Sequence, residues 1–234
     1  MSDILTISLL TLIAGLAIPI GALLGNKFSR TIHASWNHSI IAFGGGTLLA
    51  AVSLVLVPEG INSLNVFESS IFLISGAIAF LFIDLYLSKS NTQASQLVAM
   101  LADFIPESLA LGAIFLIHKE SAILLTLLIA FQNLPEGFNA FIEVKKTSAF
   151  NSKHVISLFF IFALLGPTFA FTGYYWLSDS PEIIGAIMLI ASGGILYSIF
   201  QDIAPKVPLE NNWAPPLGAI LGFVTGLVGY MSIN

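Results

Sequence analysis

The chain contains no cysteine, which excludes disulfides, thiolate metal sites and cysteine nucleophiles, and leaves the redox compartment unmarked. It is nearly as poor in charge: only 9% of its 234 residues are Asp, Glu, Lys or Arg, against roughly 25% in a soluble domain. A water-facing surface cannot be built from so few charges. With 56% hydrophobic residues and a mean hydropathy of +0.94, most of the exterior must face lipid. The net charge of −5 therefore points to no nucleic-acid partner; the expected surroundings are a lipid bilayer. No His-Glu-x-x-His motif occurs, so a zinc-dependent intramembrane hydrolase lacks its machinery and no enzyme activity is expected.

What the chain does have is apolar length. Eight stretches approach the ~20 residues needed to cross a ~30 Å hydrocarbon core, at about 4–24, 39–57, 71–88, 97–117, 121–143, 155–177, 183–203 and 214–232. The first has no basic leader, since only Met1-Ser2-Asp3 precedes it, and it outruns a signal-peptide core, so it reads as a mature helix. Linkers are short and leave no room for a soluble domain. The expectation is an all-α membrane protein, with residues 1–234 forming one polytopic domain of eight transmembrane helices.

Lys27, Arg30, Lys89, Lys145, Lys146, Lys153 and Lys206 fall in the odd-numbered loops, and only Lys119 in an even one. Cytoplasmic loops accumulate Lys and Arg, so both termini are expected outside. The expected location is a plasma membrane of the bacterial inner-membrane type, crossed many times, and a homodimer is compatible with it.

Span 6 echoes span 1. Pro19-Ile20-Gly21-Ala22-Leu23-Leu24-Gly25 matches Pro167-Thr168-Phe169-Ala170-Phe171-Thr172-Gly173 at its Pro, Ala and final Gly. Span 7 echoes span 2, with Gly45-Gly46 leading to Pro58 as Gly193-Gly194 leads to Pro205. The loop count sets each pair in opposite orientations. The reading is a 3+2+3 arrangement with spans 1–3 and 6–8 as an inverted repeat, an architecture that puts a transporter's substrate near the bilayer midplane.

The two central spans carry the chemistry. Span 4 reads Asp103-Phe104-Ile105-Pro106-Glu107 and span 5 reads Gln132-Asn133-Leu134-Pro135-Glu136-Gly137. In each, a polar side chain precedes a glutamate by four residues and shares its helical face. The intervening proline frees the carbonyls of Ala102 and Phe131, which lipid does not tolerate unless protein or a wet cavity satisfies them. Each ionised carboxylate at a helix centre costs on the order of 2.5–3.5 kcal/mol. Asp103, Glu107 and Glu136 together would cost roughly 8–10 kcal/mol unneutralised. No Lys or Arg lies inside any span, so the compensating charge is protons or a bound cation.

Asp103, Glu107, Gln132 and Glu136 are accordingly the expected metal ligands. Asn139 and Glu143 continue the face of span 5 inward, and Met100 and Gln96 that of span 4, while Leu125 and Leu128 close the outer side. Tyr197, Ser198 and Gln201 on span 7 are further candidates for the path. Asp84 and Asp202 lie toward the cytoplasmic ends of their helices, where snorkelling to water is the ordinary role. Glu59 at the outer end of span 2 either attracts cations or caps a helix junction. The histidines, His33, His38, His118 and His154, sit near or in loops and are read as solvated. Divalent metal transport is expected, with a non-transporting membrane metal sensor or an organic-cation permease as alternatives. No organic cofactor is expected.

The paired x-Pro-Glu motifs on the fourth and fifth of eight helices resemble those of the ZIP (Zrt/Irt-like protein) family of divalent metal transporters. Pro19-Ile20-Gly21-Ala22 in span 1, Pro58-Glu59 closing span 2 and the glycine-rich span 7 extend the resemblance. It implies a 3+2+3 fold with both termini outside, and uptake of zinc, iron or manganese into the cytoplasm. It also implies, in many members, a rigid movement of one bundle against another and two metal ions bridged by the two glutamates. The chain departs from the pattern at Asp103, which stands where the family has histidine, and at Phe104, where it has asparagine. Span 6 offers no carboxylate between Ile156 and Leu177. A single metal position is therefore expected, with Asn133 a retained remnant of the second.

Overall fold

A computed structural model describes residues 3–29, 31–90, 94–147, 150–177 and 180–233. It is all-helical, with no strand among the described residues, as lipid demands of a chain that must satisfy its backbone internally. Seven helices are long and apolar enough to cross a membrane. They are α1 (Asp3–Phe28), α2 (Ala34–Ile61), α3 (Val66–Ser90), α4 (Ala94–Ile117), α5 (Lys119–Thr147), α6 (Ser152–Leu177) and α7 (Pro181–Lys206). An eighth apolar helix, α8 (Leu217–Ile233), has 17 residues. Most helices outrun the apolar stretches by a turn, because the ladder continues once begun and only the hydrocarbon-buried part has to be apolar.

Prolines shape the interior. Pro19, Pro106 and Pro135 lie within α1, α4 and α5. Pro58 in α2 and Pro205 in α7 follow a π-turn, Val52–Leu56 and Ile199–Ile203 respectively. There the N–H of Val57 donates to the carbonyl of Val52 and that of Ala204 to Ile199. A proline ring collides with the carbonyl four residues back, and widening the preceding turn absorbs the conflict. In α6, the ladder breaks at Leu164, just ahead of Pro167.

The helices pack as two sets. Within the first, α1 lies on α5, α4 on α6, α1 on α6 and α4 on α5; within the second, α2 lies on α8, α3 on α7 and α2 on α7. The sets meet where α2 crosses α5 and α4 crosses α7. Two contacts have no room for a side chain. A Cβ on Gly46 would stand 2.0 Å from the Ala219 carbonyl oxygen and one on Gly222 2.1 Å from that of Phe43. On the other side, a Cβ on Gly193 would stand 1.9 Å from the Leu73 oxygen and one on Gly76 1.9 Å from the Ile190 oxygen. The α2–α8 and α7–α3 crossings are thus built alike, with Gly46 the counterpart of Gly193. That register matches Pro58 with Pro205 and one π-turn with the other, and it lies one residue away from aligning the two glycine doublets. In α1 and α6, Gly21 and Gly173 each sit on a carbonyl of the facing helix, Leu134 in α5 and Leu109 in α4.

The C-terminal half of α4 and the N-terminal half of α5, the outer halves in the orientation expected from the sequence, form a buried core. Leu111, Ile114, Leu125, Leu128 and Ile129 are all buried, joined by Val55 and Leu56 of α2. Trp36 and Trp213 are exposed at the opposite end, in positions suited to an interfacial aromatic belt.

Candidate functional site

The inner halves of the same helices enclose a cavity of about 1610 Å³. Its blind end is made by Asp103 of α4 and Gln132, Pro135 and Glu136 of α5; it runs past Met100, Asn139 and Glu143 to Ser88, Lys146, His154 and Lys206. It therefore opens at the end bearing the lysine-rich loops. Gly44 and Gly45 of α2 form the opposite wall, and Gly44 would meet the Pro135 ring at 3.2 Å if it carried a Cβ. Those two glycines hold α2 close to the proline-broken turn while adding no side chain to the space.

Glu107 is 0% exposed and lies behind the cavity wall rather than on it. The Gln132 amide nitrogen donates to its Oε1 at 2.5 Å, which orients the amide and leaves Gln132 Oε1 as an acceptor. That oxygen, Glu107 Oε2 and Asp103 Oδ1 are all buried with no hydrogen-bond partner. Three acceptors without a donor, at the proline-broken turns of two apolar helices, form an arrangement that a cation satisfies and that a neutral packing role leaves costly. The Glu136 carboxyl interacts electrostatically with those of Asp103 and Glu107. Among the described residues, no group of three or more His, Cys, Asp or Glu side chains is gathered tightly enough to hold a metal as it stands. Oxygen donors from carboxylates and an amide are what the blind end offers, with the thioether of Met100 beside them and the one lining imidazole, His154, at the mouth.

The expected residues divide. Asp103, Gln132, Glu136, Asn139, Glu143 and Met100 share the cavity, and Glu107 is tied to it through Gln132. Asn139 donates to the Pro135 carbonyl at 2.9 Å. Asn133 faces elsewhere: its amide donates to the Ala14 carbonyl of α1 at 2.9 Å and is 1% exposed, so it ties two helices. The side chain of Gln96 lies outside the described residues. Phe104 is buried, with its Cζ 3.0 Å from where a Cβ on Gly15 of α1 or on Gly166 of α6 would stand. Its ring fills the crossing of those helices.

Tyr197, Ser198 and Gln201 line the cavity as expected, and Asp84 and Asp202 join them. These two acids face inward, where Asp103 feels both, and Tyr197 of α7 lies near Asp84 of α3. Sequence pattern could not bring them in, because their faces are set by the α3–α7 crossing and not by anything within either helix. Comparison with protein-family models and with curated proteins finds no match to this chain.

Proposed function

We propose that this protein carries a divalent metal ion, of the zinc, iron or manganese class, into the cytoplasm through the Asp103, Glu107, Gln132 and Glu136 site, in the manner of the ZIP family. The observation that carries this reading is the set of three buried, partnerless acceptor oxygens, with Asp103 and Gln132 on the wall of the cavity and Glu107 behind it. A pathway of this kind has to admit its cargo from the other side in a second arrangement. The lysine-rich mouth supports a cytoplasmic placement of the open end, by the positive-inside bias. Loading draws Asp103 and Glu136 onto the ion from the cavity wall, with Glu107 following through Gln132.

Packing supports the 3+2+3 reading. Under exchange of α1–α3 with α6–α8, the α2–α8 crossing becomes α7–α3 and α1–α5 becomes α6–α4, and the glycine contacts and π-turns exchange with them. An organic-cation permease is disfavoured because an ammonium site uses an aromatic cage. Here Phe104 is locked between helices, Phe131 sits edge-on to Phe43 and Phe138 packs on α1, so none of these rings lines the cavity.

The test is uptake of zinc and manganese by proteoliposomes. Glu107→Gln and Glu136→Gln are each expected to cut uptake about a hundredfold or more, since each removes the charge that offsets a dehydrated cation, with protein levels unchanged. Near-normal uptake by Glu136→Gln would remove the proposed site. A wild type that binds metal without moving it would instead favour the sensor.

A further inference from the structure

The two halves end differently at one equivalent position. Glu59 follows Pro58 and its π-turn; Lys206 follows Pro205 and its π-turn. At the outer end, Glu59 is served by uncharged donors, Ser121 Oγ at 2.8 Å and Asn62 Nδ2 at 3.3 Å, with His118 Nε2 3.8 Å away. At the inner end, Lys206 Nζ lies 3.6 Å from Glu143 Oε1 and also acts on the Asp202 carboxylate. The mouth of the cavity gathers Asp84, Asp202 and Glu143, and Asp202 feels both of the other acids. A departing dication would linger among three carboxylates. The pair itself is half-exposed, 50% for Lys206 and 34% for Glu143, and such pairs contribute little to stability, so a holding role does not account for it.

We infer that Lys206 is a tethered counter-cation at the cytoplasmic mouth, which occupies Glu143 and Asp202 so that the outgoing metal finds no second resting place and is released. This rests on the transport reading above. Its ammonium swings on a flexible stem, so it yields to an arriving dication, repels it and re-forms the pair once the ion has left. The path then runs from an acid at its entrance to a base at its exit, a polarity created by the divergence of two equivalent positions.

The experiment uses manganese as the probe, with turnover measured in proteoliposomes and bound manganese counted by electron paramagnetic resonance on the purified protein. Lys206→Gln is expected to lower turnover at saturating manganese about tenfold, a fraction of the attraction between a dication and a nearby carboxylate because water and salt screen the half-exposed mouth, without raising KM. It is also expected to retain one additional, weaker manganese equivalent. Lys206→Arg keeps wild-type behaviour, and Lys206→Gln combined with Glu143→Gln recovers most of the lost turnover. Unchanged turnover and stoichiometry in Lys206→Gln would overturn the inference. So would a double variant no faster than the single one, because then the lysine serves only as a tie. If the wild type moves no manganese, the transport reading fails, and the count still decides this one: an equivalent gained in Lys206→Gln supports it, and none gained refutes it.

Discussion

The outer and inner halves of α4 and α5 are made of the same two helices and could hardly be less alike. Outside, Leu111, Ile114, Leu125, Leu128 and Ile129 close on one another; inside, Asp103, Gln132, Glu136 and Asn139 face a cavity continuous with the lysine-bearing end. The change comes at Pro106 and Pro135, where each helix loses a ladder bond and gains a carboxylate one residue later. A proline break is an expense in lipid unless water or a ligand reaches it, so the breaks belong where the wet half begins. The contrast teaches that one half of the helix pair is packed shut and the other open, and that the acids stand at the boundary between them.

Reactivity of single introduced cysteines gives the sharpest test of that contrast, since the chain supplies no thiol background. Asn139→Cys and Ser198→Cys are expected to react with a charged maleimide from the cytoplasmic side about a hundredfold faster than Ile114→Cys or Leu125→Cys, because thiol chemistry follows access. Equal rates would mean that the outer half is not dry. A smaller but still discrete effect concerns the boundary itself, where Phe104 fills the α1–α6 crossing and Asn133 is committed to the Ala14 carbonyl. Metal titration, or anomalous scattering from loaded crystals, is expected to find one ion between α4 and α5. Two ions within about 4 Å, the spacing of bridged pairs, would show that the boundary opens. The smallest effect is one of preference. Asp103→His puts imidazole into an all-oxygen set and is expected to raise the zinc-to-manganese uptake ratio severalfold, since imidazole suits zinc and carboxylates suit manganese. Competition uptake at fixed pH measures it, and an unchanged ratio would show that Asp103 does not touch the metal.

Much of this was legible in the sequence for a physical reason. Lipid forces apolar length and helical backbone, so the all-helical character and seven of the eight expected stretches follow from hydropathy, the eighth being a shorter apolar helix. Spacing of four residues brought Asp103 with Glu107 and Gln132 with Glu136 onto shared faces before any fold was known. What crosses between helices was not legible. Asn133 reads the same in sequence whether it faces a metal or a carbonyl of α1, and Asp84 reads as a snorkelling acid until the α3–α7 crossing turns it toward Asp103. Close helix contacts were not legible either, because glycines repeat densely and only a backbone contact tells one from its neighbour.

Those backbone contacts have a mechanical consequence. Where Gly46 and Gly222 seat α2 on α8, and Gly76 and Gly193 seat α3 on α7, carbonyl meets α-carbon with no side chain between. Side chains act as lubricant, since rotamer changes let one helix creep along another; bare backbone locks into steps of one residue. Creep within these pairs is blocked, so each moves as a single beam. For α2, α3, α7 and α8, this leaves two stiff members where the chain has four.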